Sequence, residues 1–120
     1  MAYLKDYMSG CYLLTIDGDC IKEYMSGRYK YRLSGDNVID YMSGRYLYSI
    51  SNGIVKDYMS GRYLLSITSN QVKDYMSGRY IATYDSSTIK DYTSGRYLYK
   101  IEGFLSGKEM AALLAILFAM

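Results

Sequence analysis

The chain has 120 residues, of which half are hydrophobic and 22% charged, so it can form one domain with a buried core, and disorder is excluded. The formal charge of +2 is too small to indicate a nucleic acid or a membrane surface by itself, and we expect no nucleic-acid binding. Histidine is absent, which removes most catalytic triads and the commonest metal ligand. We therefore expect no enzymatic activity, no catalytic residues, no metal site and no cofactor.

The N-terminal segment, Met-Ala-Tyr-Leu-Lys-Asp, has neither the basic part nor the apolar part of a secretory signal. The two cysteines, Cys11 and Cys20, are too few for a disulfide scaffold. These features predict a cytoplasmic protein with free thiols. Peripheral association with a membrane is the alternative.

A 17-residue repeat dominates the rest of the chain. The string Asp-Tyr-Met-Ser-Gly, or a close variant of it, begins at Asp6, Glu23, Asp40, Asp57, Asp74 and Asp91. Counted from the acidic residue, Tyr at position 2, Ser at 4, Gly at 5 and Tyr at 7 never vary, and Arg occupies position 6 in five units. Six such units span 6–107 and predict duplication within one domain, 1–120, which ends in a helix at 108–120.

Each unit has the pattern of a β-hairpin followed by a turn. A short strand at positions 15 to 2 is predicted to meet a longer strand at positions 6 to 11 across a three-residue loop, Met-Ser-Gly, whose glycine takes a positive φ. The links between units carry turn residues, such as Asp17-Gly18-Asp19 and Ser51-Asn52-Gly53. The chain is therefore predicted to be an antiparallel meander of about twelve short strands.

The alternation of side chains predicts which face of each hairpin is buried. Positions 7, 9, 11 and 16 share one face, which in the third unit carries Tyr46, Tyr48, Ile50 and Val55, and we assign this face to the core. The acidic residue at position 1 is predicted to accept hydrogen bonds from loop amides or from a tyrosine hydroxyl. Arginine at position 6 is predicted to form a cation–π pair with tyrosine at position 2.

The C-terminal segment breaks the pattern and predicts a helix. Ser106 and Glu109 fit a capping box, and no polar side chain occurs from Met110 to Met120. A helix that is apolar on every side must be surrounded. Three surroundings stay open: the hub of a closed ring of hairpins, a bundle with other copies of the chain, or a bilayer. The residues assigned to this plug or assembly role are Met110, Leu113, Leu114, Ile116, Leu117 and Phe118.

A closed ring accounts for the repeat and the helix together. An open array of repeats needs atypical units at its ends, and neither the first nor the last unit has that character. The predicted fold is mainly β, with six 17-residue hairpins in a closed, radial, propeller-like meander and one apolar C-terminal α-helix.

This pattern resembles the small bacterial β-flower proteins. The resemblance rests on the Tyr-x-Ser-Gly-Arg-Tyr hairpins, the turns and the apolar tail, and it covers Tyr3 to Met120. It implies short hairpins that radiate as petals around an axis, next to a hydrophobic C-terminal helix. It implies no established activity.

The repeated pairing of tyrosine with arginine is the best candidate for a binding surface. Such groups stack on sugars or bases and accept anions, but they also brace neighbouring hairpins. The candidate residues are Tyr24, Arg28, Tyr41, Arg45, Tyr58, Arg62, Tyr75, Arg79, Tyr92 and Arg96.

These observations predict a non-enzymatic scaffold or interaction module, which contacts an unknown protein partner or a second copy through its turn loops or its Tyr/Arg surface. One alternative is a membrane-associated or self-assembling protein that uses the apolar C-terminal helix for membrane contact or association. A further alternative is a multivalent, lectin-like binder.

Overall fold

The computed structural model describes residues 1–119, which form twelve strands and one helix. The strands are β1 (Ala2–Asp6), β2 (Tyr12–Asp17), β3 (Cys20–Glu23), β4 (Tyr29–Ser34), β5 (Asn37–Asp40), β6 (Tyr46–Ser51), β7 (Ile54–Asp57), β8 (Tyr63–Ile67), β9 (Gln71–Asp74), β10 (Tyr80–Tyr84), β11 (Thr88–Asp91) and β12 (Tyr97–Gly103). The helix, α1, spans Gly107–Phe118. Met120, the last residue of the predicted helix, lies outside the described residues.

The twelve strands form a closed antiparallel barrel. Each strand pairs with its neighbours in sequence, and β1 pairs with β12 over five residue pairs, from Ala2 with Gly103 to Asp6 with Tyr99. The dimensions of 36 × 33 × 20 Å describe a wide, short ring. The predicted closed meander of six hairpins is confirmed.

The ring has two different mouths. The hairpin loops within the repeat units lie at one mouth, and the turns between units lie at the other. Backbone angles at the inter-unit turns match their sequences, since Gly18 and Gly35 have φ of +60° and Asn52 has φ of +54°. Residues with positive φ favour tight turns whose twist agrees with that of the strands.

A β-bulge beside the hairpin loop changes the predicted faces. Val38 pairs with Tyr48, but the next residue, Ile39, pairs with Tyr46, so Leu47 has no partner on β5. The extra residue places Tyr46, 37% exposed, on the outer face, while Tyr48 is 7% exposed and Val55 is fully buried. The core assignment is therefore confirmed for positions 9 and 16 and wrong for position 7. It is also confirmed for position 11, where Ile50 is partly buried against the core cluster and Ile16 is 1% exposed.

The hairpin loop is also longer than the predicted three residues. The backbone nitrogen of Asp40 donates to the carbonyl oxygen of Arg45 at 2.8 Å, and the nitrogen of Gly44 donates to the carbonyl oxygen of Asp40 at 2.8 Å. Four residues, 41–44, thus make one helical turn between the strands. Gly44 has the predicted positive φ, +73°.

Helix α1 fills the centre of the ring. Its buried residues are Met110, Ala112, Leu113, Leu114, Ala115 and Ile116, and they form one core cluster with inward side chains of the strands. At 100° per residue these positions point in all directions, so strands surround the helix. Twelve residues rise about 18 Å, close to the 20 Å short dimension of the ring. Leu117 and Phe118 are partly buried against the same cluster. The sequence left three possible surroundings for this helix, and in the structure it lies in the hub of the ring.

The start of α1 lies at the mouth formed by the inter-unit turns, where Gly107 lines the same cleft as Gly35 and Gly53. The predicted capping box is present: the Glu109 nitrogen donates to Ser106 Oγ at 3.2 Å, and the Ser106 nitrogen donates to Glu109 Oε1 at 2.9 Å. The helix therefore runs from this mouth toward the hairpin loops. Within 1–119, no helix combines the length and apolar character needed to cross a membrane.

Candidate binding surface

The acidic residue of each unit organises the hairpin loop that follows it. Asp40 Oδ2 accepts hydrogen bonds from the Ser43 nitrogen at 3.0 Å and from Ser43 Oγ at 2.7 Å. Ser43 Oγ in turn accepts from the Arg45 nitrogen at 3.2 Å. This network closes a four-residue turn in the way that a side-chain cap closes a helix. The predicted role of position 1 as an acceptor for loop amides is confirmed.

The same network recurs around the ring. The serine nitrogen and hydroxyl also donate to the carboxylates of Asp6, Asp57, Asp74 and Asp91. In the second unit, Glu23 accepts from Ser26 Oγ at 2.6 Å. These bonds favour the ionised carboxylate and lower its pKa at all six positions. The loop carboxylates are thus engaged within their own turns.

We expect the barrel to lose stability in acid. A lowered pKa stabilises the fold above the ordinary carboxyl range, near pH 4, and this contribution disappears as the pH falls through the lowered value. The thermal midpoint should therefore be nearly level above about pH 5 and should fall below about pH 4. Circular dichroism melts across this range measure the effect.

Ser43→Ala tests the cause of that acid dependence. The Ser43 hydroxyl is the main reason that the pKa of Asp40 is low, so the substitution should move this pKa toward its ordinary range. Asp57 serves as a control in the same variant, because its carboxylate depends on Ser60. Carbon-13 NMR titration of both carboxyl groups provides the measurement, and an unmoved Asp40 would contradict the cap.

Five methionines occupy the tips of the hairpin loops. Their side chains are 77–86% exposed, and they are Met8, Met25, Met42, Met59 and Met76. We call the six segments that carry these tips the crown; they are 7–11, 24–28, 41–45, 58–62, 75–79 and 92–96. Thr93 replaces the methionine in the sixth segment, and Cys11, an exposed free thiol, replaces the arginine in the first. The crown forms one mouth of the barrel.

Tyrosine pairs link each crown segment to the preceding unit. The ring at position 7 packs on the ring at position 2 of the next unit, with centroids 4.8–4.9 Å apart and geometries from stacked to edge-on. The pairs are Tyr12–Tyr24, Tyr29–Tyr41, Tyr46–Tyr58, Tyr63–Tyr75, Tyr80–Tyr92 and Tyr97–Tyr7. The last pair crosses the seam between β12 and β1, so the tyrosines brace the whole circumference.

The cations that lie over these rings are lysines. Five lysine ammonium groups sit 5.2–5.8 Å from a position-7 ring centroid, in the pairs Lys5–Tyr12, Lys22–Tyr29, Lys56–Tyr63, Lys73–Tyr80 and Lys90–Tyr97. The predicted cation–π contact between arginine and the position-2 tyrosine does not occur among residues 1–119. The bulge explains the difference, since it places the position-7 tyrosine on the outer face beside the lysine before the acidic residue.

The predicted Tyr/Arg positions all lie on the crown. Tyr24, Tyr41, Tyr58, Tyr75 and Tyr92 are 41–48% exposed, and each belongs to one of the stacked, tilted or edge-on pairs. Arg28, Arg45, Arg62, Arg79 and Arg96 are exposed. The six residues assigned to the helix plug lie apart from them, inside the ring. Sequence reasoning missed the methionine tips, although methionine at a fixed loop position in five units was a usable indication.

Charge is divided unevenly between the two mouths. The crown half, repeat positions 17 to 8, carries eleven cationic side chains and six carboxylates, a net charge of +5. The opposite half carries three cationic side chains and six carboxylates, a net charge of −3. Its charged residues are Asp17, Asp19, Asp36, Asp85, Glu102, Glu109, Arg32, Lys100 and Lys108. Of these, Glu102 forms an ion pair with Lys5 of the crown half at 3.1 Å. The overall charge of +2 is therefore the sum of two oppositely charged halves, and the barrel has a large separation of charge along its axis.

Two further observations concern a cavity at the opposite mouth and the capacity to bind a metal ion. A cavity of about 220 Å³ opens beside the start of α1, where Ile50, Ala111 and Ala112 are among its lining residues. Among residues 1–119, no three His, Cys, Asp or Glu side chains are grouped closely enough to hold a metal ion.

No known protein family, no curated protein and no solved structure matches the chain. What the crown can bind must therefore be argued from its own residues, their exposure and their charge.

Proposed function

We propose that this protein is a non-enzymatic interaction module and that the crown is its contact face. The observation that carries the proposal is the exposure of 77–86% at five methionines on one mouth of the barrel. Folded chains rarely collect large apolar side chains at the surface without a partner that covers them. The exposed arginines beside these tips add polar groups that orient the partner.

The crown is suited to binding because its loops are held in place before contact. Each loop is tied by hydrogen bonds between its own carboxylate and serine, as in Asp40 with Ser43, and each is braced by a tyrosine pair. Such preorganisation lowers the entropy lost on association. The methionines at the tips keep their rotamer freedom and adapt to the partner.

The crown is a better candidate for contact than helix α1. Leu113 and Leu114 are fully buried in the ring, so membrane contact or self-assembly through the helix requires it to leave the barrel and expose the core. The tyrosine pairs also argue against a lectin-like role. Each ring already covers a face of its neighbour, as in Tyr46 with Tyr58 at 4.9 Å, which leaves less aromatic surface for a sugar.

The relation to the β-flower proteins is part of this proposal. Six hairpins arranged around an axis, with an apolar C-terminal helix at that axis, support it. The relation adds no activity, and the function rests on the crown alone.

Hydroxyl-radical footprinting tests the contact face, with the purified chain compared with the same chain inside the cells that express it. We expect oxidation of the five crown methionines to be at least about threefold slower in the cell, because a partner covers them. Phe104 is the matched control, since it is 82% exposed and lies near the opposite mouth. Equal oxidation of the methionines in both settings would contradict the proposal.

A further inference from the structure

We infer that the crown docks onto a lipid bilayer whose surface carries anionic headgroups. This inference rests on the proposed role of the crown as a contact face, and it names the partner. It concerns the hairpin loops and leaves helix α1 inside the barrel.

The side chains of the crown half are layered in the order that a bilayer surface favours. Methionine forms the outermost layer, and the tyrosine pairs lie behind it, with eleven of their twelve rings 37–48% exposed. Apolar loop tips enter the boundary of the acyl chains, whereas tyrosine concentrates at the level of the headgroups, where its ring and hydroxyl find different surroundings. The five lysines over the position-7 rings form the next layer.

The charge of the crown complements an anionic surface. Its half of the ring has a net charge of +5, and the arginines at position 6 are exposed next to the methionine tips. The carboxylates of the same half accept hydrogen bonds from their own loop serines, which reduces their repulsion of a headgroup phosphate. The opposite half has a net charge of −3, so an anionic membrane also orients the molecule with the crown toward it.

The geometry of the ring favours a flat partner. Six similar loops project from one mouth of a closed barrel that is 33–36 Å across. A bilayer contacts all six at once, and weak contacts of this kind add to a strong total. A second copy facing crown to crown is disfavoured, because each crown half carries +5.

Vesicle co-sedimentation of the full chain tests the inference. The probes are vesicles of phosphatidylcholine alone and vesicles of phosphatidylcholine with phosphatidylserine. We expect at least about tenfold stronger binding to the anionic vesicles, and we expect this binding to weaken as salt rises from about 0.05 M to about 0.5 M.

Two crown variants separate insertion of the tips from attraction of the charges. The triple variant M42S/M59S/M76S should reduce binding by at least about tenfold, because three apolar tips are lost. The double variant R45Q/R62Q should reduce binding by roughly twenty-five-fold, since each basic residue at an anionic surface contributes roughly fivefold. All five positions are exposed, so circular dichroism should find the fold unchanged. Phe104→Ser, near the opposite mouth, is the control and should bind as the unaltered chain does.

Three results would overturn the inference: no preference for anionic vesicles, binding that the methionine triple leaves unchanged, or concentration-dependent stacking of the chain without vesicle binding. The footprinting experiment distinguishes these from failure of the contact face itself. Protected crown methionines in the cell together with absent vesicle binding would remove the lipid partner and leave the contact face. Unprotected methionines would remove both.

Discussion

Leu114→Asp is expected to prevent the chain from closing its barrel. Leu114 is fully buried near the middle of α1, where strands surround the helix on every side. An unpaired carboxylate there costs several kcal/mol, which is a large part of the roughly 5–15 kcal/mol that stabilises a domain. Size-exclusion chromatography and circular dichroism should find an unfolded or aggregated chain.

Leu114→Ala gives the graded form of the same experiment. It removes buried methyl groups without adding charge, so the free energy of unfolding should fall by about 2–5 kcal/mol in urea titrations. Phe104→Ala is the control, because its ring is 82% exposed, and it should change the free energy of unfolding by less than about 0.5 kcal/mol. Equal stability of the two variants would mean that α1 does not occupy the hub.

Gly53→Ala should be the most damaging glycine substitution at the turns between units. Gly53 has φ of +78°, and a Cβ there would overlap the backbone carbonyl oxygen of Ile67 on the neighbouring hairpin. The Ile67 nitrogen also donates to the Gly53 carbonyl oxygen at 2.6 Å, so the two backbones cannot separate without losing that bond. We expect the free energy of unfolding to fall by about 2 kcal/mol or more.

Gly35→Ala is the matched comparison. Gly35 has φ of +60°, but the space around its Cβ position is open. Its cost should be about 1 kcal/mol, which is the conformational term alone. Urea unfolding of both variants measures the difference, and equal losses would show that the approach to Ile67 is unimportant.

Much of this fold could be predicted from the sequence because the same strand and turn pattern occurs in six units. The invariant glycine at position 5 predicted a positive φ, as Gly44 has, and the capping residues Ser106 and Glu109 located the start of the helix. The β-bulge could not be predicted, because the extra residue, Leu47, looks like any other strand residue. Since side chains alternate with a period of two, this one residue moved Tyr46 from the expected core to the outer face.

The candidate site was less visible in the sequence for two physical reasons. Exposure depends on how far the loop projects, so the loop position of Met42 did not reveal that its side chain is 79% exposed at a tip. The overall charge of +2 is a sum over two halves of opposite sign, and only the closed ring separates them in space. The Tyr/Arg positions, by contrast, were recognisable because their spacing never changes.

The helix at the hub also limits how the gene can evolve. Near-identical repeats recombine easily, and each gain or loss of a 17-residue unit would add or remove two strands. The radius of a barrel grows with its strand number, but the helix keeps a width of about 10–12 Å. A seven-unit descendant would leave voids around Leu113 and Leu114, and a five-unit one would have no room for them. The width of α1 therefore matches a ring of six units.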